Sequence, residues 1–235
     1  MDVGSDHQEN SPGKKEISFM QITIREPGSA ITHFIGMMMA IIAATPLMVK
    51  VALDADGTAV IAMSVFICSM VALYGASALY HSVTVKENLL KVFRKVDHMM
   101  IFILIAGSYT PVCLIVLGGR LGYMLLMVVW AIAVAGMAVK MFWITCPKWF
   151  SSTIYIAMGW ICLAVFGTLW DTLSHSAFLW LLAGGIIYTV GGVIYAMKLP
   201  IFNARHKFFG SHEIFHLFVM GGSVCHFIFM YLYVA

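Results

Sequence analysis

The sequence predicts an all-α membrane protein, a bundle of seven transmembrane helices. Of its 235 residues, 61% are hydrophobic and 11% are charged, whereas an ordinary soluble domain has roughly 45–50% apolar and about 25% charged residues. The apolar residues fall into seven long runs, which must be helical because unpaired backbone groups are too costly in hydrocarbon. Since each span takes about 20 residues, there is no room for a sizeable soluble domain.

The first three predicted spans follow polar segments. The first 28 residues lack the apolar core and cleavage site of a signal peptide. We expect them to form a polar, partly disordered cytoplasmic tail ahead of a membrane domain over residues 29–235. Gly107 and Pro111 predict a bend within the third span, because Pro removes a backbone hydrogen bond. These three spans are Ile31–Val51, Ala59–Ser82 and Asp97–Leu117.

The remaining four spans are separated by short breaks. Gly118–Arg120 predicts a tight turn after the third span, and the polar segment Leu199–Phe209 precedes the last one. The fifth span is the shortest of the seven. Abundant Gly, Ala and Ser within the spans suit close packing between membrane helices. These four spans are Leu121–Ile144, Thr153–Trp170, Ala177–Met197 and His212–Val234.

Lysine and arginine predict the orientation of the bundle. All of these residues except Lys50 and Arg120 fall in segments on one side of the predicted spans. The positive-inside rule therefore places the N-terminus in the cytoplasm and the C-terminus outside. The same residues are expected to meet anionic headgroups at the cytoplasmic face. With a net charge of only +3, they give no support for a nucleic-acid partner.

A few ionisable residues lie within or beside the spans, where charge is rare and usually functional. His81 ends the second span, Asp97 opens the third, and His212 and His216 open the seventh. In the predicted orientation all four lie in the cytoplasmic leaflet. This convergence is independent of the orientation argument, because that argument uses only Lys and Arg.

These residues have the chemistry of a metal site. His212 and His216 are about 6 Å apart along one helix face and can share a metal ion. His81 is the best third ligand, with Ser77 one turn earlier on the same face. Three neutral imidazoles with an open fourth position are typical of catalytic zinc, where Asp97 would hold or deprotonate the bound water. Other imidazole-binding divalent ions are alternatives to zinc. The simpler alternative is that the histidines cap or bridge helices and Asp97 is the N-cap of the third span.

The segment HEIFH at residues 212–216 also fits the H-E-x-x-H signature of zinc proteases, with Glu213 as general base. A membrane-embedded metalloprotease is therefore a rival prediction. Against it, the second acidic ligand of such proteases, on its own Gly- or Pro-broken segment, is not visible. Glu213 is instead expected to face a neighbouring helix or the headgroup zone, or to orient an imidazole.

Together these motifs resemble those of the progestin and adiponectin receptor (PAQR) family, and most of all its bacterial hemolysin III branch. The resemblance covers nearly the whole chain from Glu26 onward. It rests on S-x-x-x-H ending the second span, Asp opening the third, H-x-x-x-H opening the seventh, and the strings GSYTP and SHEIFH.

The resemblance implies a seven-helix bundle with zinc held near the cytoplasmic side by His81, His212 and His216. It places Ser77 and Asp97 close to the metal-bound water. It also implies kinship with alkaline ceramidases, and hence action on lipid amides or esters. In bacteria the family is associated with membrane homeostasis.

The first-span signature of that family usually reads E-x-x-N-x-x-[ST]-H, and here Ser29 stands where Asn is common. Glu26, Thr32 and His33 match, which makes Glu26 and His33 second-tier candidates. His226 lies about 15 Å deeper than the predicted metal site, too far to join the same metal. We expect it to be a packed, hydrogen-bonded histidine or a polar contact in a substrate cavity.

The predicted function is zinc-dependent hydrolysis of a membrane lipid by a multi-pass protein of the bacterial cell membrane. One alternative is a non-enzymatic lipid or stress sensor in which zinc pins the second, third and seventh spans together. Another is a pore-forming haemolysin, although no span shows the continuous polar stripe that would line a channel.

Overall fold

The structure, a computed structural model, describes residues 24–54, 57–197 and 209–235. Over these ranges it contains no strand and has seven helices long and apolar enough to cross a membrane, which confirms the predicted fold class. Almost all of the predicted tail lies outside the described residues. The helices are α1 (Pro27–Asp54), α2 (Gly57–Ser82), α3 (Glu87–Leu117), α4 (Gly119–Phe142), α5 (Lys148–Thr172), α6 (His175–Met197) and α7 (Ser211–Val234).

Helix α3 begins at Glu87, well before the start predicted at Asp97. Its first turns are charged, so a search for apolar residues misses them. The Glu87 carboxylate and the Lys91 ammonium form an ion pair at 2.8 Å, one helical turn apart, which favours the helical form. Asp97 therefore lies inside the helix, and the alternative that it is the N-cap of this span is wrong.

The end of α3 is irregular where the sequence predicts a bend. Regular α-helix ends at Pro111 and continues as a π-helical segment, Val112–Leu117. Gly118 alone then links α3 to α4, a tighter turn than predicted. Gly118 and Gly119 have φ values of 57° and 51°, and this left-handed backbone favours glycine.

Helix α5 is longer than the predicted fifth span but is interrupted by a 3₁₀ segment, Trp160–Val165. The Tyr109 hydroxyl donates to the Gly159 carbonyl (2.7 Å) and accepts from the Cys162 N–H (2.9 Å). Backbone groups freed inside a membrane need such partners. The interruption is therefore supported from α3.

Consecutive helices pack against each other along most of the chain, and α1 also packs against α7. Helices α2 and α3 are the most buried. Since α1 and α7 start at the end of the bundle where α2 finishes, this arrangement brings the three helix ends together. The candidate site lies at their junction.

Candidate metal centre

Three imidazoles meet where α2 ends and α7 begins. One ring nitrogen from each of His81, His212 and His216 lies within 4.8 Å of the other two. The Nε2 atoms of His81 and His212 are 3.3 Å apart. His81 and His216 are each 2% exposed. The three residues predicted to be ligands are thus brought together, while their binding of a metal stays a prediction.

Polar groups behind two of these rings orient the nitrogens. Nδ1 of His81 is hydrogen bonded to Oε2 of Glu26. Nδ1 of His216 lies 3.2 Å from Oγ1 of Thr32. The Thr32 hydroxyl donates to two backbone carbonyls of its own helix, both at 3.0 Å, so its oxygen accepts from the imidazole N–H. Both contacts leave Nε2 as a free lone pair, which is the form that binds metal.

Glu26 precedes α1 and ties the chain to the end of α2. Its backbone N–H donates to the His81 carbonyl (3.0 Å), and the Arg25 guanidinium donates to the Tyr80 carbonyl (2.8 Å). The hydrogen bond from His81 holds the pKa of the Glu26 carboxyl below its usual value. Glu26 is therefore ionised at neutral pH and accepts the imidazole proton.

Glu213 is occupied at the start of α7. Its Oε2 accepts from the Gly210 N–H (2.8 Å), and its Oε1 accepts from the Ser29 hydroxyl (2.5 Å). Both carboxylate oxygens are thus engaged: Oε2 caps the start of α7 and Oε1 joins it to α1, as expected for a residue that faces a neighbouring helix. Ser29, the residue that departs from the family signature, is one of the two partners. This arrangement disfavours a protease in which Glu213 is the general base.

A cavity of about 180 Å³ lies beside the histidines and is lined mostly by apolar side chains. Asp97 and Ser77 are both on its wall, as are His212 and His216. Asp97 is buried, with Oδ2 3.4 Å from Nδ1 of His98. The Ser77 hydroxyl is buried and has no hydrogen-bond partner in the described part of the chain. The two residues predicted to be catalytic therefore line the same cavity as His212 and His216, and their roles stay predictions.

His33, a secondary candidate in the sequence, lies directly against the histidine cluster. Its ring stacks on His216 with centroids 3.6 Å apart and an angle of 13° between the planes. It is 3% exposed and lines the cavity. Neither ring nitrogen has a partner among the described residues. The spacing of the first-span signature is the signal in the sequence that points to it.

His226 lies on the cavity wall away from the cluster. It is buried, and its Nε2 lies 3.3 Å from the Leu181 carbonyl. The structure thus shows a packed, hydrogen-bonded histidine that also adjoins the cavity, combining the two alternatives that the sequence left open.

Comparisons with known proteins cover most of the chain. A family model described as Haemolysin-III related matches residues 21–227. The chain is 37% identical to Hemolysin-3 of Bacillus cereus over 94% of this chain and 97% of that protein. It is 36% identical to the Hemolysin-3 homolog of Bacillus subtilis, over 87% and 92% of the two chains. A shorter match, 34% identical over 32% of this chain and 24% of the other, is to the ADIPOR-like receptor IZH2 of Saccharomyces cerevisiae.

Proposed function

The chain belongs to the haemolysin-III related family of multi-pass integral membrane proteins, and on this premise we propose that it is a zinc-dependent hydrolase of lipid amides or esters in membrane homeostasis. Family membership confirms the resemblance that the sequence motifs indicate. The observation that carries the proposal is the meeting of three imidazoles with a largely apolar cavity whose wall also holds a carboxylate and a hydroxyl.

The donor set fits zinc. The Nδ1–H of His81 donates a hydrogen bond to Glu26, so its Nε2 is an acceptor, which lies 3.3 Å from Nε2 of His212. Two nitrogens bound to zinc at about 2.0–2.1 Å in tetrahedral geometry are separated by about 3.3–3.4 Å. The spacing of the two rings is therefore the one that a shared zinc ion needs. Three imidazoles leave a fourth position for water or substrate.

The residues around the cluster have complementary tasks in hydrolysis. When bound, zinc polarises a carbonyl and makes a water more acidic. Asp97, a carboxylate on the cavity wall, can orient a water molecule in the cavity and accept a proton from it. The Ser77 hydroxyl, which has no hydrogen-bond partner among the residues that the structure describes, can donate to the oxygen on which negative charge develops. The apolar remainder of the cavity suits an acyl chain and excludes bulk water.

Metal content and lipid cleavage test this proposal together. We expect the purified protein to hold one zinc ion per chain and to cleave a long-chain fatty amide, such as a ceramide, in nanodiscs. His212→Ala should lose the zinc. Asp97→Asn should keep the zinc and the fold but lose cleavage, whereas Asp171→Asn, at an exposed carboxylate near the end of α5, should behave as wild type. A wild-type protein without zinc, or full cleavage by Asp97→Asn, would contradict the proposal.

A second candidate is a non-enzymatic receptor in which zinc is structural. The match to a protein named as an ADIPOR-like receptor favours it, and a metal held by α2 and α7 would pin those helices together. This candidate predicts that the wild type holds zinc but cleaves no lipid amide or ester, and that Asp97→Asn changes neither property. The same experiment therefore separates the two candidates.

A further inference from the structure

The cavity carries a second polar group, formed by His226 and Tyr188, away from the histidine cluster. Both side chains line the same cavity as Asp97 and Ser77. On α7, His226 follows His216 by ten residues, which places it about 15 Å further along the helix axis. The lining of the cavity as a whole is mostly apolar.

The hydrogen bonds of His226 leave one of its ring nitrogens, Nδ1, as an acceptor without a partner among the described residues. Its Nε2 lies 3.3 Å from the Leu181 carbonyl, an acceptor, so Nε2 carries the ring proton. Nδ1 is then a lone pair, and it is buried with no partner in the described part of the chain. A Cβ atom at Gly184 would lie 2.3 Å from Cδ2 of His226 and 2.5 Å from Nε2. That ring edge therefore faces α6, and the Nδ1 edge is turned away from it.

The hydroxyl groups next to His226 leave one donor unused. Tyr74 donates to Oγ of Ser223 at 2.5 Å, a far shorter contact than its 3.5 Å approach to the Val219 carbonyl. The hydroxyls of Tyr188 and Ser223 are 2.8 Å apart. Their mutual bond uses one of their two protons. The other proton has no acceptor among the described residues, and when Ser223 is the donor of their mutual bond, the Tyr188 hydroxyl is left to donate to a group in the cavity.

The His226 and Tyr188 rings are adjacent, with centroids 5.3 Å apart. Glycines opposite them make the room that both rings need. A Cβ at Gly222 would lie 2.8 Å from the Tyr188 ring, and one at Gly184 would collide with His226. The small residues of α6 and α7 thus admit two polar rings into an otherwise apolar part of the bundle.

We propose that His226 and Tyr188 bind a hydroxyl group on the hydrocarbon chain of the lipid held in this cavity. A hydroxyl is both a donor and an acceptor, so it can donate to Nδ1 of His226 and accept the proton left over by the Tyr188–Ser223 pair. The inference rests on the proposed function, because that function places the carbonyl group of the lipid at the histidine cluster.

The distance between the two polar groups sets the position of that hydroxyl. An extended hydrocarbon chain advances about 1.3 Å per bond, the projection of a C–C bond of about 1.5 Å on the chain axis, so a separation of about 15 Å corresponds to roughly a dozen bonds. The ligand class is therefore a long-chain acyl amide or ester with a hydroxyl near the twelfth carbon.

Equilibrium binding of matched amides tests the proposal without relying on turnover. The protein is loaded with zinc in nanodiscs in an Asp97→Asn background, so that no amide is consumed. The probes are octadecanamide and its 12-hydroxy, 12-methoxy and 3-hydroxy derivatives. We expect the 12-hydroxy amide to bind about three- to tenfold more tightly than octadecanamide, the gain of one additional net hydrogen bond. The methoxy amide, which has no proton to donate, and the 3-hydroxy amide should show no such gain.

Variants locate the effect. His226→Phe should abolish the preference for the 12-hydroxy amide, and Tyr188→Phe should reduce it. Tyr155→Phe is the matched control, because this cavity-wall hydroxyl already donates to the His98 carbonyl at 3.1 Å. Equal affinities for the plain and 12-hydroxy amides, or a preference that persists in His226→Phe, would overturn the inference. A His226-dependent preference in a protein that cleaves no lipid would support the inference and count against the proposed hydrolase.

Discussion

Two polar residues near the start of α1 contact the imidazoles of the candidate metal centre. Glu26 accepts the Nδ1 proton of His81, and Thr32 accepts that of His216. Groups in this position fix the tautomer and raise the basicity of a metal-binding imidazole. The first helix region therefore contributes to the centre without supplying a ligand.

Replacing Glu26 by Gln tests this role at His81. The amide keeps the size of the carboxylate but removes its charge, so the imidazole becomes a weaker ligand. We expect zinc affinity to fall by about tenfold or more, measured by competition with a chromophoric chelator. Glu87→Gln changes an exposed carboxylate that is paired with Lys91 and should leave zinc affinity as in wild type. Equal zinc affinities in the two variants would show that Glu26 does not contribute to zinc binding.

Replacing Thr32 tests the equivalent role at His216. Thr32→Val keeps the shape of the side chain and removes the oxygen that accepts the Nδ1 proton. We expect zinc affinity to fall by about tenfold, while Thr32→Ser, which restores the hydroxyl, should retain most of it. A serine variant as weak as the valine variant would point to helix packing as the cause.

His81, His212 and His216 can be predicted as site residues from the sequence alone. Their spacing along single helices and the rarity of intramembrane charge are enough for this. Residues whose role depends on a contact between helices are harder to place. Glu213 fits a protease signature, yet its two carboxylate oxygens contact Gly210 and Ser29. Ser29 is on α1, and no pattern within α7 reveals that partner.

At the scale of helices, apolar runs locate the hydrocarbon crossing better than they locate helix ends. Helix α3 extends back to Glu87 through charged turns, because an exposed segment at the membrane border can be helical without being apolar. The 3₁₀ interruption of α5 was not predicted either. It depends on Tyr109, which lies on a different helix.

Removing the Tyr109 hydroxyl should destabilise this interruption. In Tyr109→Phe the Gly159 carbonyl keeps only the Cys162 thiol at 3.7 Å among these contacts and the Cys162 N–H loses the phenol oxygen, at a cost of about 0.5–1.5 kcal/mol for each hydrogen bond. We expect a lower thermal unfolding temperature in detergent. Tyr123→Phe, at a tyrosine that is 57% exposed, should unfold as wild type does. An unchanged unfolding temperature in Tyr109→Phe would mean that water or another group replaces the hydroxyl.

For the whole molecule, hydropathy predicts how many helices cross the membrane but does not predict which of them are neighbours. The contact between α1 and α7 joins the first and the last of the seven helices, and it places Glu26 and Thr32 next to the histidines of α2 and α7. The sequence order of the helices does not require that contact. This is the physical reason why the motifs of three separated segments form one site.

The interior of the bundle also bears on the haemolysin alternative. The cavity is lined mostly by apolar side chains, whereas a conducting path needs a continuous polar lining to keep ions hydrated. We expect the purified protein, reconstituted in vesicles, to release no entrapped dye at any protein-to-lipid ratio at which the vesicles keep their size. Release that rises with the number of protein copies per vesicle would support the pore-forming alternative.

The orientation of the bundle decides which compartment the candidate metal centre faces. Lys and Arg lie almost entirely on the side where α1 begins, with Lys50 and Arg120 as the exceptions, so the centre should face the cytoplasm. Reporter fusions in a bacterial host measure this directly. Alkaline phosphatase fused after Ala235 should be active and green fluorescent protein there should be dark, because the predicted orientation places the C-terminus outside. Fusions after Met197, at the end of α6, should show the reverse pattern. Fluorescence from the fusion after Ala235 would invert the bundle and move the centre to the outer side, where the zinc and lipid pools are different.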